Sequence, residues 1–208
     1  ETDPLVRAKL PLLHRVMPHV GHGATRARGT IGGSLANGDP AAEIALVAVT
    51  LGATLHWREG GKMTAAPAGE FLLGPMVTAL PPAACLESVR FPVWREPRVG
   101  TGFHEVNARQ SDFAFVSAAA QIALDGDGRC KRIAFGVGAA AATPIRFDMT
   151  ALEGTRAEEA KVRDAVGAAL EKVETLADLH ASAEYRRRVA KTLAIRAIAD
   201  AYRDAHAR

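Results

Sequence analysis

The sequence predicts an α+β protein on three observations. A hairpin signature runs from Thr54 to Thr64, where Thr54-Leu55-His56-Trp57 and Lys62-Met63-Thr64 flank Glu59-Gly60-Gly61. Two apolar strands, Phe113 to Leu124 and Lys131 to Val137, are joined by Asp125-Gly126-Asp127-Gly128, residues that accept positive φ. Two amphipathic helices then close the chain, at about residues 157–174 and 183–205.

The remaining elements follow in order. Asp3-Pro4 reads as a cap and a proline at the first helical position, ahead of Leu5, Val6, Leu10, Leu12 and Leu13. Pro11 should break or kink this helix and Pro18 should stop it. A glycine-rich loop, Arg28 to Glu43, comes next. Within it Asp39 reads as an N-cap and Pro40 as the first helical residue, with Ile44, Val47, Ala48 and Leu51 on one face before Gly52 ends the helix.

Beyond the hairpin, Phe71-Leu72-Leu73-Gly74-Pro75 leads through Pro81-Pro82 to Leu86–Pro92, whose alternation reads as a strand. Prolines, glycines and charges gather between Pro92 and Gly102, so we expect a domain boundary there, dividing 1–98 from 99–208. Thr143 to Phe147 reads as a third strand of the second unit. Val162, Val166, Leu170 and Val173 stripe the first late helix. Tyr185, Val189, Leu193 and Ala197 stripe the second, which Ser182 caps.

Composition excludes several function classes. The 208 residues are 48% hydrophobic and 24% charged, enough for a soluble core. The net charge of +3 is spread along the chain and aromatics are 5%, which argues against a nucleic-acid surface. Cys85 and Cys130 form no CxxC, so no zinc or iron–sulfur ligand set is present, and a reducing, cytoplasmic setting fits. No apolar run is long enough for a bilayer and no signal-peptide core is visible. The chain begins with Glu1 directly before a helix start, so we expect residues upstream of it.

Gly136-Val137-Gly138-Ala139-Ala140-Ala141 has the spacing of a dinucleotide fingerprint. A helix must start at such a loop and aim its amides at the pyrophosphate, and Thr143-Pro144 with a strand follows instead. A tight turn between packed strands is the better reading. His14, His19 and His22 lie too loosely for zinc and read as exposed or capping side chains. Gly33-Ser34-Leu35-Ala36 is one glycine short of a nucleophile elbow, so we expect no catalytic nucleophile. In the glycine-rich loop, Gly29, Gly32 and Gly33 clear side chains from around Thr30, letting amides and a hydroxyl reach a ligand. A purely structural turn explains the same glycines. Asp39 is either a cap or a ligand contact, and Glu43 either favourable first-turn charge or a ligand-holding carboxylate.

The stretch Arg26 to Glu43, RARGTIGGSLANGDPAAE, resembles the second flavin-contacting loop of the FAD-binding medium subunit of molybdenum hydroxylases, the family of aerobic carbon-monoxide dehydrogenase and xanthine dehydrogenase. Three further motifs keep the family's order: Phe71–Pro75 through Leu86–Pro92, Phe103 with Arg109-Gln110-Ser111-Asp112-Phe113-Ala114, and Asp178–Arg186 followed by Arg196-Ala197. The resemblance spans essentially the whole chain.

It implies the second lobe of a vanillyl-alcohol-oxidase-like FAD domain, then a C-terminal antiparallel sheet with helices. The first lobe's own glycine-rich loop is not in this sequence, in keeping with the expected upstream residues. By the same resemblance Gly29, Thr30, Ile31, Gly32, Gly33 and Ser34 contact FAD, Asp39 and Glu43 supply acidic positions, and Leu86 is an apolar contact. Phe103 or His104 lies near the isoalloxazine, with His104 standing where relatives carry a lysine. A titrating histidine there would make the flavin potential depend on pH.

The implied partners are a large molybdopterin-binding subunit and a small subunit with two [2Fe–2S] clusters, assembled as a dimer of heterotrimers. FAD would take electrons from the clusters and pass them to an external acceptor. A flavin-free subunit bridging the other two is the alternative reading. A free-standing flavin oxidase is weakened because no acid–base group for substrate oxidation emerges from these motifs.

Overall fold

The computed structural model describes residues 1–208. Asp3 Oδ1 accepts from the amides of Leu5 at 2.7 Å and Val6 at 3.1 Å, opening α1 (Pro4–Lys9). Pro11 does more than interrupt this helix, because it sits at the first position of a new one, α2 (Pro11–Val16), where a missing amide costs nothing. Pro18 falls inside a short 3₁₀ turn, Met17–His19, that continues the path.

After α3 (Gly23–Arg26), the expected glycine-rich loop is itself partly helical. Thr30 caps α4 (Ile31–Asn37), which ends at Gly38 with φ 68°. The next helix, α5 (Glu43–Leu51), starts three residues later than expected. Asp39 is not its cap: Oδ1 accepts from the Ala41 amide at 2.8 Å in a local turn, and Ala42 takes the cap position without a side-chain bond.

The hairpin forms as expected from β1 (Thr54–Glu59) and β2 (Lys62–Pro67). A short helix, α6 (Ala68–Phe71), leads into the small hairpin of β3 (Leu72–Gly74) and β4 (Val77–Thr78). Strand β5 (Ala84–Arg90) returns to complete a three-stranded antiparallel sheet in the order β2-β1-β5.

Of the segment expected to hold the boundary, residues 92–97 form no helix or strand, and from Arg98 the chain is already in β6 (Arg98–Asn107). With β7 (Ala114–Leu124), β8 (Cys130–Gly138) and β9 (Ile145–Phe147) it forms a four-stranded antiparallel meander. Helices α7 (Glu159–Glu171) and α8 (Ala183–His206) cover one face of it. Ser182 caps α8 as expected, its Oγ accepting from the Tyr185 amide at 3.2 Å. No helix of the chain is long and apolar enough to cross a membrane.

Strand β7 is apolar apart from Ser117 and Gln121, and it reads as a mostly apolar run because both its faces are buried. Val116, Ala118, Ala120 and Ile122 point to α7 and α8, while Ala119 and Ala123 point to α2 and α5. Helix α5 is buried along its whole length, with Leu46, Val47 and Leu51 in the core against the meander. Ile44, Ala45, Ala48 and Val49 fill a second core with Leu55, Trp57 and Phe71. The GxGxxA stretch ends β8 and no helix follows it, as its rejection required. A Cβ on Gly136 would lie 2.2 Å from Thr50 Oγ1 of α5, so the glycine serves the approach of strand to helix.

The two glycines near the expected boundary have the same origin on the other face. A Cβ on Gly102 would lie 2.0 Å from the Ala197 carbonyl oxygen, and one on Gly100 2.0 Å from the Ala205 amide nitrogen, so the backbone of α8 rests directly on β6. Gly102→Ala should therefore lower stability by about 3 kcal/mol. Gly167→Ala should raise it by about 1 kcal/mol, since Gly167 lies inside α7 with nothing within 4 Å of its Cβ position. Urea unfolding midpoints check both, and equal shifts in the two variants would contradict the packing described.

Candidate cofactor site

The site grows from Thr30. Its Oγ1 accepts from the Gly33 amide at 2.9 Å and so caps α4, which leaves the hydroxyl proton free to donate to a ligand. A helix leaves its first amides without internal partners, and the amides of Ile31 and Gly32 remain available. Gly29, Thr30, Ile31 and Gly33 are exposed, with Gly32 and Ser34 half-buried. The nearest side-chain atom to a Cβ built on Gly32 is Leu86 Cδ2, 3.8 Å away. Gly32 and Leu86, expected together from sequence, do meet here, along a cleft of about 320 Å³ that Leu10, Leu13, Ile31 and Phe91 also line.

The acidic pair expected beside the loop is buried. Asp39 and Glu43 are each 7% exposed. Burial pushes the Glu43 carboxyl up to about 7; the charges of Glu105 and Asp39 add to the rise, and its own backbone amide and His19 oppose it. Across from it, Glu105 Oε1 lies 3.1 Å from His19 Nδ1. That bond raises the His19 pKa against the desolvation that lowers it, and the charges of Glu105 and Glu43 assist.

Alternation along β6 separates the two residues expected near the flavin ring. Phe103 points toward α2 and is 6% exposed, with the His19 ring edge-on at 4.8 Å. His104 points to the opposite face, where Nε2 lies 2.8 Å from Asp200 Oδ2 on α8. The loop glycines, Leu86 and Glu43 thus share one side of the meander with Phe103, and His104 is across the sheet. His19 and Glu105 were missed as a unit because 86 residues separate them; His19 entered the sequence reading only as an exposed or capping side chain, set aside as a zinc ligand. No group of three or more His, Cys, Asp and Glu side chains is placed to hold a metal ion.

The closing motif has a clear task. Arg186, buried in the first turns of α8, donates to the Ala139 carbonyl at 2.8 Å and pairs with Asp178 at 2.5 Å, tying the preceding loop to the end of β8. Beside it a second hollow of about 490 Å³ opens between Asp39 and the exposed Phe113.

Residues 1–94 match the FAD binding domain in molybdopterin dehydrogenase, and residues 101–201 match the CO dehydrogenase flavoprotein C-terminal domain. The chain is 30% identical over 203 residues to the 6-hydroxypseudooxynicotine dehydrogenase complex subunit alpha of Paenarthrobacter nicotinovorans, covering 96% of this chain and 68% of that one. It belongs to the FAD-binding medium subunits of the molybdenum hydroxylases. The carbon monoxide dehydrogenase medium chain of Afipia carboxidovorans is 30% identical over 197 residues, 92% of this chain and 66% of that one. The solved carbon monoxide dehydrogenase of Hydrogenophaga pseudoflava superposes with a TM-score of 0.91 at 26% identity, over 98% of this chain and 71% of that one. This medium subunit accordingly carries an FAD-binding domain followed by the sheet-and-helix C-terminal domain of that fold.

Buried Glu43 gives stability a pH dependence of definite sign. Its folded pKa of about 7 lies above the ordinary 4.5, so the folded state holds more protons across that interval and stability falls as pH rises through it, by about 3 kcal/mol. His19, also raised, adds stability that is complete below the ordinary histidine value and is lost as pH climbs through its folded value, the same sign. Glu43→Gln should flatten unfolding free energy against pH between about 5 and 7. An unchanged slope would show that Glu43 ionises freely in the folded chain.

Proposed function

We propose that this subunit is the electron outlet of its enzyme: its FAD takes electrons from [2Fe–2S] clusters of a small partner subunit and passes them to an external acceptor. The observation that carries the reading is the pair of unspent amides at Ile31 and Gly32 beside the Leu86 cleft, inside the FAD-binding domain. What these residues offer fits that cofactor. Amide donors without a Cβ in front of them suit an anionic, oxygen-rich chain, and an apolar cleft alongside suits the edge of an aromatic ring.

In this reading Thr30, Ile31, Gly32 and Ser34 hold the polar part of FAD, with Gly29 and Gly33 shaping the turn that presents them. Leu86 gives it an apolar wall with Ile31 and Phe91, while Phe103, Asp39 and Glu43 enter this reading through the family resemblance. The chain's tasks are to bind, to orient and to keep water from one side of the ring. We keep residues 1–98 and 99–208 as its two working units. A large molybdopterin-binding subunit performs the substrate chemistry, in a cytoplasmic dimer of heterotrimers. Relatives named for 6-hydroxypseudooxynicotine and for carbon monoxide share this chain's sequence pattern, which supports leaving substrate choice to another subunit.

The test is FAD content in the purified complex, read from its absorbance spectrum. The expected result is one FAD per copy of this chain, lost in Gly32→Val while circular dichroism stays unchanged, because branches at Cβ would enter the space beside Leu86. Gly33→Val is the poorer probe, since its Cβ would lie 2.9 Å from Thr30 Oγ1 and disturb the cap itself. Full FAD retention by Gly32→Val would remove the site from this loop. A wild-type complex without flavin would instead favour the bridging subunit.

A further inference from the structure

Glu105 on β6 and His19 on the 3₁₀ turn are in contact, and the buried Glu43 at the start of α5 is near enough for its charge to act on His19 and for that of Glu105 to act on it. The Glu105 side chain is 7% exposed. Its Oε1 is served twice, by His19 Nδ1 and by Asn107 Nδ2, each at 3.1 Å. Its Oε2 is buried with no donor at all. A bare carboxylate oxygen in a dry site is expensive, and a second buried carboxylate nearby makes it more so. That second carboxylate is Glu43, locked at the start of α5. Two such groups do not both ionise cheaply, so a proton on one of them is the economical state.

His19 is the exposed member of the group. Its side chain is 41% exposed, it stands against Phe103, and its 3₁₀ turn leads through α3 to the Thr30 cap. Glu105 holds Nδ1, which leaves Nε2 facing outward. The other charges that face this group are Asp39 ahead of α5 and Arg15 on α2. His104 and Asp200 lie beyond the sheet, on the α8 side.

We propose that Glu43, Glu105 and His19 form one protonic unit that takes a proton from bulk water when negative charge arrives on the bound cofactor, with Glu105 as the positioning residue for His19. The proposal rests on the FAD site described above. It moves the pH coupling that the sequence suggested for His104 to the other face of β6. No bond to the cofactor is made or broken by these residues: the proton comes from water, enters through the exposed imidazole and rests on the carboxyl pair. Their contribution is to offset charge inside a low-dielectric site.

The decisive experiment is the flavin midpoint potential of the purified complex against pH, for the wild type and for His19→Gln, Glu105→Gln and His104→Gln. The flavin's own ionisation is common to every variant, so the reading is the additional bend near pH 7, where Glu43 titrates. That bend should move to lower pH in Glu105→Gln, which removes a neighbouring negative charge, and to higher pH in His19→Gln, which removes a positive one, and it should stay in place in His104→Gln, while Glu105→Asp should restore its position in part. A bend that stays in place in the first two variants, or that only His104→Gln moves, overturns the proposal. Should Glu105→Gln fail to assemble, infrared difference spectra of the wild-type complex decide: a protonated-carboxyl band that grows on reduction supports the unit, and an invariant one overturns it. A complex that binds no flavin overturns this proposal and the FAD reading together, whereas a flavin-bearing complex with an unmoved bend overturns this proposal alone.

Discussion

Helix α5 is apolar on every side because it has no solvent face to serve. Leu46, Val47 and Leu51 pack toward the meander, while Ile44, Ala45, Ala48 and Val49 pack toward the hairpin sheet. A helix buried all round fixes the two sheets relative to each other, since neither core can shift without opening the other. It also dictates its neighbours. Gly136 exists so that β8 can lie against Thr50, and the largely apolar β7 exists because α8 covers the opposite face of the same sheet.

The cost of that arrangement falls at the ends of α5. Its first residue, Glu43, has nowhere wet to go, and the carboxyl is held at a proton affinity far from that of a free glutamate. Its preceding turn, built on the Asp39 bond to Ala41, sets the distance between α5 and α4 and so the place of the Ile31 and Gly32 amides. The exposed start of α4 is tied to the interior through Leu35, which is fully buried in the same core as Ile44, Ala45 and Ala48 of α5.

Most of the fold was legible, for reasons that differ by element. The hairpin at Gly60-Gly61, the β7–β8 pair and the Ser182 cap each carry local chemistry that leaves few alternatives. Helix α4 was hidden because Gly32 and Gly33 are poor helix formers in its first turn; the Thr30 cap and the contact with α5 outweigh them. Strand β6 was hidden because Gly100 and Gly102 read as linker residues, whereas the missing side chains are what lets α8 lie on the strand. At the site, the meeting of Gly32 with Leu86 followed from family resemblance. The Glu105–His19 pair followed from nothing local, being made by two elements far apart in the chain.

The central claim is that the amides of Ile31 and Gly32 carry the cofactor. Hydrogen exchange of the purified complex, with FAD bound and after FAD is stripped, addresses it most directly. The account predicts that these two amides exchange markedly more slowly with FAD bound, while the amides of α5 are slow in both states because that helix is buried either way. Unchanged exchange at Ile31 and Gly32, with protection appearing elsewhere in the chain, would contradict it.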